Sequence, residues 1–300
     1  MKIGYPCINL SLGCTTNSTF RLASYSDELV LNKIKCNLEC LKKILDYNLS
    51  HNLLFFRISS DLIPFASHPI CRVNWQKKFE EEFRQIGKFL SKNEFRVSMH
   101  PDQFVLINSP DPKIVGKSIA ELEYHCEFLD LLNLDLTAKI QIHVGGVYGN
   151  KNDAMKRFVA TYKKLPLKIR KRLVIENDDR SYSLKDCLEI NKKCGVSVLF
   201  DSFHHECLND GESVKKALGL SAKTWKKSDG ILMTDYSSQE NGMRKGAHTY
   251  SIKILPFRDY LAETAGFDFD IMLEIKDKEK SALKALEIVN SVRKSQNLKV

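Results

Sequence analysis

The chain has 300 residues, 43% hydrophobic and 28% charged, with a formal net charge of +9. That balance excludes a disordered chain and leaves enough apolar material for one large α/β domain or two smaller ones. No apolar run approaches the roughly 18 residues of a membrane span, so no membrane partner is expected. The excess of Lys and Arg favours an anionic partner, nucleic acid above all.

The opening stretch, residues 2–9, reads as a first strand and not as a signal peptide. A loop rich in Thr, Asn and Ser follows. From Asp27 to Tyr47 apolar residues recur at helical spacing: Leu29, Leu31, Ile34, Leu38, Leu41, Ile44 and Leu45. Asn52 to Ser60 is a buried strand, Trp75 to Phe89 a helix, and Phe95 to Pro101 the next strand. A helix over Pro112–Leu132 starts with Pro in its first turn. Lys139 to Val144 alternates cleanly as a strand and stops at Gly145-Gly146. A helix over Ala154–Arg172, interrupted at Pro166, leads to the strand Arg172–Asn177. Ser183 caps a helix to Lys193. The apolar strand from Ser197 ends in Asp201, His204 and His205. A helix over Ser213–Trp225, a strand over Gly230–Tyr236 and a helix over Pro256–Ala265 follow. The last pair is a strand over Phe269–Glu274 and a helix over Glu279–Val292.

These amount to eight strand–helix units without a linker, composition shift or internal repeat. Strands alternating with helices imply parallel pairing and right-handed crossovers. The expected fold is α/β: a single-domain (β/α)8 TIM barrel over residues 1–300, with the active site at the C-terminal strand ends. An open doubly wound sheet is the other arrangement considered. The nine cysteines are scattered and contain no CxxC pair, and Cys36, Cys126 and Cys187 fall inside helical patterns. Reduced, mostly structural thiols in a cytosolic protein are expected. The basic run Lys168 to Arg172 is either a solvated helix end or a DNA contact.

In a parallel barrel the C-terminal strand ends gather at one mouth. His100, His143, Glu176, Asp201, Asp235 and Glu274 stand at such ends. His204 follows its strand closely, and His68 and His248 lie in mouth loops. A turn cap and solvated histidines would explain residues 197–205 taken alone. They do not explain the same move made strand after strand. Crowded carboxylates repel one another and need cations or protons to coexist. A multinuclear site for divalent ions is therefore expected. The donors, imidazole and carboxylate without thiolate, suit Zn2+, Mn2+ or Fe2+.

Seven segments carry a family resemblance: Gly4-Tyr-Pro-Cys-Ile-Asn-Leu-Ser-Leu12, Arg57-Ile-Ser-Ser-Asp-Leu-Ile-Pro-Phe65, His100-Pro-Asp-Gln-Phe104, Ile140-Gln-Ile-His-Val-Gly145, Ile175-Glu-Asn-Asp178, Tyr236-Ser-Ser-Gln239 and Gly246-Ala-His248. In this order, and from Tyr5 to about Lys280, the chain resembles the UV damage endonuclease family. That family is similar in fold to apurinic endonucleases and sugar isomerases.

The resemblance implies a DNA repair enzyme that nicks double-stranded DNA immediately 5′ to a UV photoproduct. It implies up to three divalent ions, Mn2+ foremost, with Zn2+, Fe2+ or Mg2+ as alternatives. His100, His143 and Glu176 would hold one ion. Glu176, Asp201, Asp235 and Glu274 would surround a second, and His204 and His248 a third. His68 would be a further ligand or a phosphate contact. Glu176, His143 and Glu274 are the residues expected to carry the catalysis. Gln103 and Phe104 would probe the lesion, and Tyr5 and Asn9 match positions lining the lesion pocket.

Two departures stand out. The family commonly has Lys-x-His before the Tyr-Ser-Ser segment, where this chain has Met233-Thr-Asp235. Asp235 can still ligate through oxygen, but Met233 carries no charge. The family's Gln-Tyr pair is Gln103-Phe104 here, which keeps the stacking face and loses the hydroxyl. A cytoplasmic, nucleoid-associated monomer is expected. The other readings are an apurinic-type endonuclease, a metal-dependent sugar isomerase, or a DNA-binding module without catalysis.

Overall fold

The short apolar runs become parallel strands in the computed structural model, which describes residues 1–297. They are β1 (Ile3–Pro6), β2 (Phe55–Ile58), β3 (Arg96–Met99), β4 (Lys139–His143), β5 (Leu173–Glu176), β6 (Ser197–Asp201), β7 (Leu232–Tyr236) and β8 (Phe269–Leu273). Each pairs in parallel with its sequence neighbour, and β8 closes on β1. The expected single-domain (β/α)8 barrel is thus what forms; residues 298–300 lie outside the described residues. Gly4 sits where β1 meets β2. A Cβ there would fall 2.3 Å from the Phe55 carbonyl oxygen, so only glycine fits.

The helices follow the sequence pattern with a few shifts. α1 (Asp27–Ser50) is capped by the Ser26 side chain, which accepts from the Leu29 amide. Its buried face runs through Val30, Ile34, Leu38, Leu41 and Ile44, so Val30 takes the inward place expected of Leu29. The helix expected over Trp75–Phe89 is broken at Phe79 into α2 (Trp75–Lys78) and α3 (Glu80–Lys92). Asp111 caps α4 (Pro112–Leu131). The break at Pro166 separates α5 (Lys151–Lys164) from α6 (Leu167–Arg172). α7 (Leu184–Cys194) is stopped by Gly195 at φ 75°. A short α8 (Ser202–Cys207) leaves β6 without a loop. α9 (Val214–Ala222), α10 (Ile254–Glu263) and α11 (Glu279–Asn297) complete the ring. No helix among the described residues is long and apolar enough to cross a membrane. The basic run in α6 is partly structural. Arg172 is buried, pairs with Asp130 at 2.7 Å and donates to three main-chain carbonyls.

The side chains sort into two apolar clusters. The larger lies between strands and helices and takes residues such as Phe56, Ile58, Ile175, Phe200 and Leu273. The smaller, Phe55, Val174, Leu199, Met233 and Met272, comes from the alternate strand positions and fills the middle of the lumen. The cysteine expectation needs correction. Cys14 and Cys40 form a disulfide with 5.9 Å between Cα atoms, tying the loop after β1 to α1, while the other seven remain free. The two are 26 residues apart, on a loop and a helix, so no spacing motif announces the pair.

Candidate metal centre

Two residues beyond the apolar plug of the lumen, the strands turn their next inward position toward the mouth. There the inward residues are Arg57, Gln141, Glu176, Asp201, Asp235 and, just past β8, Glu274. Three groups place ligand-capable atoms within 4.8 Å of one another: His100, His143 and Glu176; Glu176, Asp201 and His204; and Asp201, Asp235 and Glu274. The structure thus brings together seven of the nine candidate ligands. His248 stands close by, its ring 5.8 Å from that of His204 and its Nδ1 3.9 Å from the Glu274 carboxylate.

Three histidines are oriented from behind. The Nδ1 atoms of His100, His204 and His248 lie 2.7, 3.0 and 2.8 Å from the carbonyls of Pro101, Asn177 and Glu274. A carbonyl can only accept, so each Nδ1 carries a proton, and each Nε2 is the nitrogen that can ligate a cation once it holds no proton of its own. Both His100 and His143 point Nε2 at the same Glu176 oxygen, at 2.9 and 3.0 Å. Asp201 caps α8 through the His204 amide at 2.7 Å, so the turn-capping reading of this residue holds too. Its other oxygen, Oδ2, is buried without a hydrogen bond, with His204 Nδ1 3.4 Å away, and Asp235 Oδ1 is buried without one too. Buried oxygens without a partner, beside imidazoles held in one tautomer, fit a divalent cation.

The charges point the same way. Burial pushes Asp235 well above the usual carboxylate range, against the pull of Arg57. Burial also raises Asp201, with Glu274 and Glu176 adding to it against His204. Burial opposes ionisation of Glu176 too, but His143 and His100 outweigh it and hold its carboxyl well below the ordinary range. Burial would lower His204, but Asp201, Glu176 and Glu274 carry it to about 10. Four carboxylates this close cannot all be ionised and unpaired, so the mouth retains protons or takes up cations.

The mouth opens into a cavity of about 430 Å³ bordered by His100, Gln103, His143, His204, Arg244 and His248. Phe104, 52% exposed, projects beside it and is not part of the core. Three expected site residues lie elsewhere. His68 is exposed and belongs to none of the three groups. Its Nδ1 accepts from the Ile70 amide, and it shares a neighbouring cavity with Phe104, Glu121 and Tyr124. Tyr5 is fully buried against Phe56; its hydroxyl donates to Asn48 at 2.6 Å and accepts from Asn9 at 2.9 Å. Asn9 is buried as well. Both brace the loop after β1 against α1. Sequence reasoning missed Arg57 and Gln141. A charge inside the apolar strand Phe55-Phe-Arg-Ile58, and an amide two residues before His143, were the signals available.

A family model described as UV-endonuclease UvdE matches residues 1–299. The UV DNA damage endonuclease of Clostridium perfringens (strain 13 / Type A) is 44% identical over 301 residues, covering 100% of this chain and 73% of that protein. That of Bacillus cereus (strain 03BB102) is 31% identical over 303 residues, covering 98% and 96%. Among solved structures, SacUVDE superposes with a TM-score of 0.94 at 47% identity, covering 98% of this chain and 99% of its own.

Proposed function

The chain belongs to the UV-endonuclease UvdE family, and from that premise we propose that it nicks UV-damaged duplex DNA immediately 5′ to the photoproduct. Divalent ions, Mn2+ foremost, work at the barrel mouth. The observation that carries this reading is the three adjoining groups of ligand-capable atoms at the mouth, in which Asp201 Oδ2 and Asp235 Oδ1 are buried without a hydrogen bond. When bound, the ions supply activation of a water and neutralisation of charge on the scissile phosphate. His100, His143 and Glu176 hold one position. Glu176 and Asp201, with His204, hold a second, and Asp201, Asp235 and Glu274 frame a third. His248 assists from its loop.

Around that centre the chain's own residues bind and orient. Arg244 offers a cation to the phosphate backbone at the cavity rim. Gln103 opens on the same cavity as His100, three residues away, and Phe104 is exposed next to it. A crosslinked dinucleotide stacks and pairs poorly, so displacing it costs less than displacing an intact one. Gln103 and Phe104 fill the gap left behind, and selectivity comes from deformability, not base edges. His68, beside Phe104, is placed for a phosphate contact. Family membership sets the sugar isomerase and the non-catalytic DNA-binding readings aside. The test is incubation of a UV-irradiated, end-labelled duplex with the protein and Mn2+, mapping the break. A nick directly 5′ of dipyrimidine sites is expected. Breaks only at abasic sites would favour an apurinic-type endonuclease.

A further inference from the structure

Arg57 is a guanidinium at the bottom of the cluster of carboxylates, and no part of the reading above uses it. It is only 3% exposed. In β2, Phe56 and Ile58 pack toward the helices and Phe55 lies in the lumen plug, so Arg57 points up the lumen from beneath the mouth. One arm donates to Glu274 Oε1. The other donates to Asp235 Oδ2 at 2.8 Å and to Gln141 Oε1 at 2.9 Å. Gln141 in turn donates from Nε2 to the same Asp235 oxygen at 2.5 Å and to Glu176 Oε2. Oδ2 of Asp235 is therefore held twice, and its Oδ1 has no partner at all. On Glu176, Gln141 takes one oxygen while the two histidines face the other.

We propose that Arg57, with Gln141 as its relay, is a positioning residue that holds the lumen-side oxygens of Asp235, Glu274 and Glu176 and so aims their remaining oxygens at the metal ions. This rests on the metal-centre reading. The planar fork grips two carboxylates and an amide in one fixed plane, a geometry that the rotating donors of an ammonium do not impose. Orientation and charge predict opposite outcomes. If Arg57 matters only as a resident positive charge, removing it draws Mn2+ in more tightly. If it matters by aiming oxygens, removing it weakens binding, by about 10- to 100-fold for a group that orients ligands without ligating.

The experiment measures Mn2+ affinity on chelator-stripped protein by calorimetry, and free Mn2+ by electron paramagnetic resonance, with circular dichroism to follow the fold. Arg57→Lys keeps a cation in the lumen and with it the fold; it is expected to bind Mn2+ about 10- to 100-fold more weakly than wild type. Arg57→Met is expected to weaken binding at least as much. Because it strands two buried carboxylates it can fail to fold, and Arg57→Lys then decides alone. Wild-type affinity in Arg57→Lys, or tighter binding in Arg57→Met, overturns the positioning role. Absence of Mn2+ binding by the wild-type protein instead overturns the metal-centre reading itself.

Discussion

At the N-terminal end of the lumen Arg96 pairs with Asp270 at 3.4 Å and Lys139 with Asp229. Ser197 and the carbonyl of Lys171 complete the set. With the N-terminal ammonium 3.9 Å from Asp270, three cations meet two anions, and the unpartnered Arg96 Nε is a donor of no use to a metal. At the C-terminal end Glu176, Asp201, Asp235 and Glu274 gather with Arg57 as the one guanidinium among them; Arg57 Nε is unpartnered too, but there two carboxylate oxygens, which are acceptors, also lack a hydrogen bond. Both ends are buried and polar, on the same eight strands. Buried charge therefore does not mark a site. An excess of one sign, with acceptors left open, does.

The sharpest way to break that contrast is at the upper end. Chelation is expected to abolish cutting, and Mn2+ to restore it. Glu176→Gln and His143→Ala are each expected to lose at least about 100-fold in activity, beyond what an orienting group costs, while keeping the fold. Gel assays of nicking, with circular dichroism for the fold, check this; substantial cutting by either variant removes that residue from the centre. The lower end should respond in the opposite way. Lys139→Met strands the buried Asp229 and is expected to destabilise the protein by about 3–5 kcal/mol in urea denaturation, with Mn2+ content unchanged. Lost metal with intact stability would erase the distinction between the ends.

Phe104 sharpens the contrast at the rim, where neither packing nor ligation is at stake. Loss of a stacking aromatic is worth roughly 1–3 kcal/mol, so Phe104→Ala is expected to cut damaged duplex about 5- to 150-fold less well. Melting temperature and metal content should not move, and Phe104→Tyr should cut normally. Normal cutting by Phe104→Ala would end the wedge assignment. The smallest effect concerns protons. His204 is charged at neutral pH in the metal-free protein, being held up to about 10. A ligating imidazole must be neutral. Mn2+ affinity should therefore rise with pH by up to about tenfold per unit below 10, with a proton released on binding. The metal-free fold responds oppositely. It has the full benefit of charged His204 below about 6.5 and loses it as pH rises through about 10. Calorimetry in buffers of different ionisation enthalpy reads the released proton; affinity flat from pH 6 to 8 would contradict it.

Much of this was legible in the chain because parallel strands leave a plain trace. Lys139-Ile-Gln-Ile-His143 alternates, so His143 shares its face with Gln141, and apolar runs that stop at Glu176 or Asp201 mark where strands reach the mouth. The partner of a lumenal residue was not legible. Arg57 meets Asp235 and Glu274 across the barrel, 178 and 217 residues away, and that meeting depends on how the sheet closes. Tyr5 sits in a four-residue strand with glycine and proline on either side, where no alternation says which way a ring turns. His68 lies in a loop with no period to place it, and its motif neighbours did not carry it to the metal groups.

Between the two charged ends, Phe55, Val174, Leu199, Met233 and Met272 are fully buried and plug the lumen. Traffic to the upper chamber, whether ion, water or proton, goes through one doorway. A duplex lying across that doorway shuts it. On the proposed function, five apolar side chains that touch neither metal nor DNA would thus set an order of arrival, metal first and DNA second.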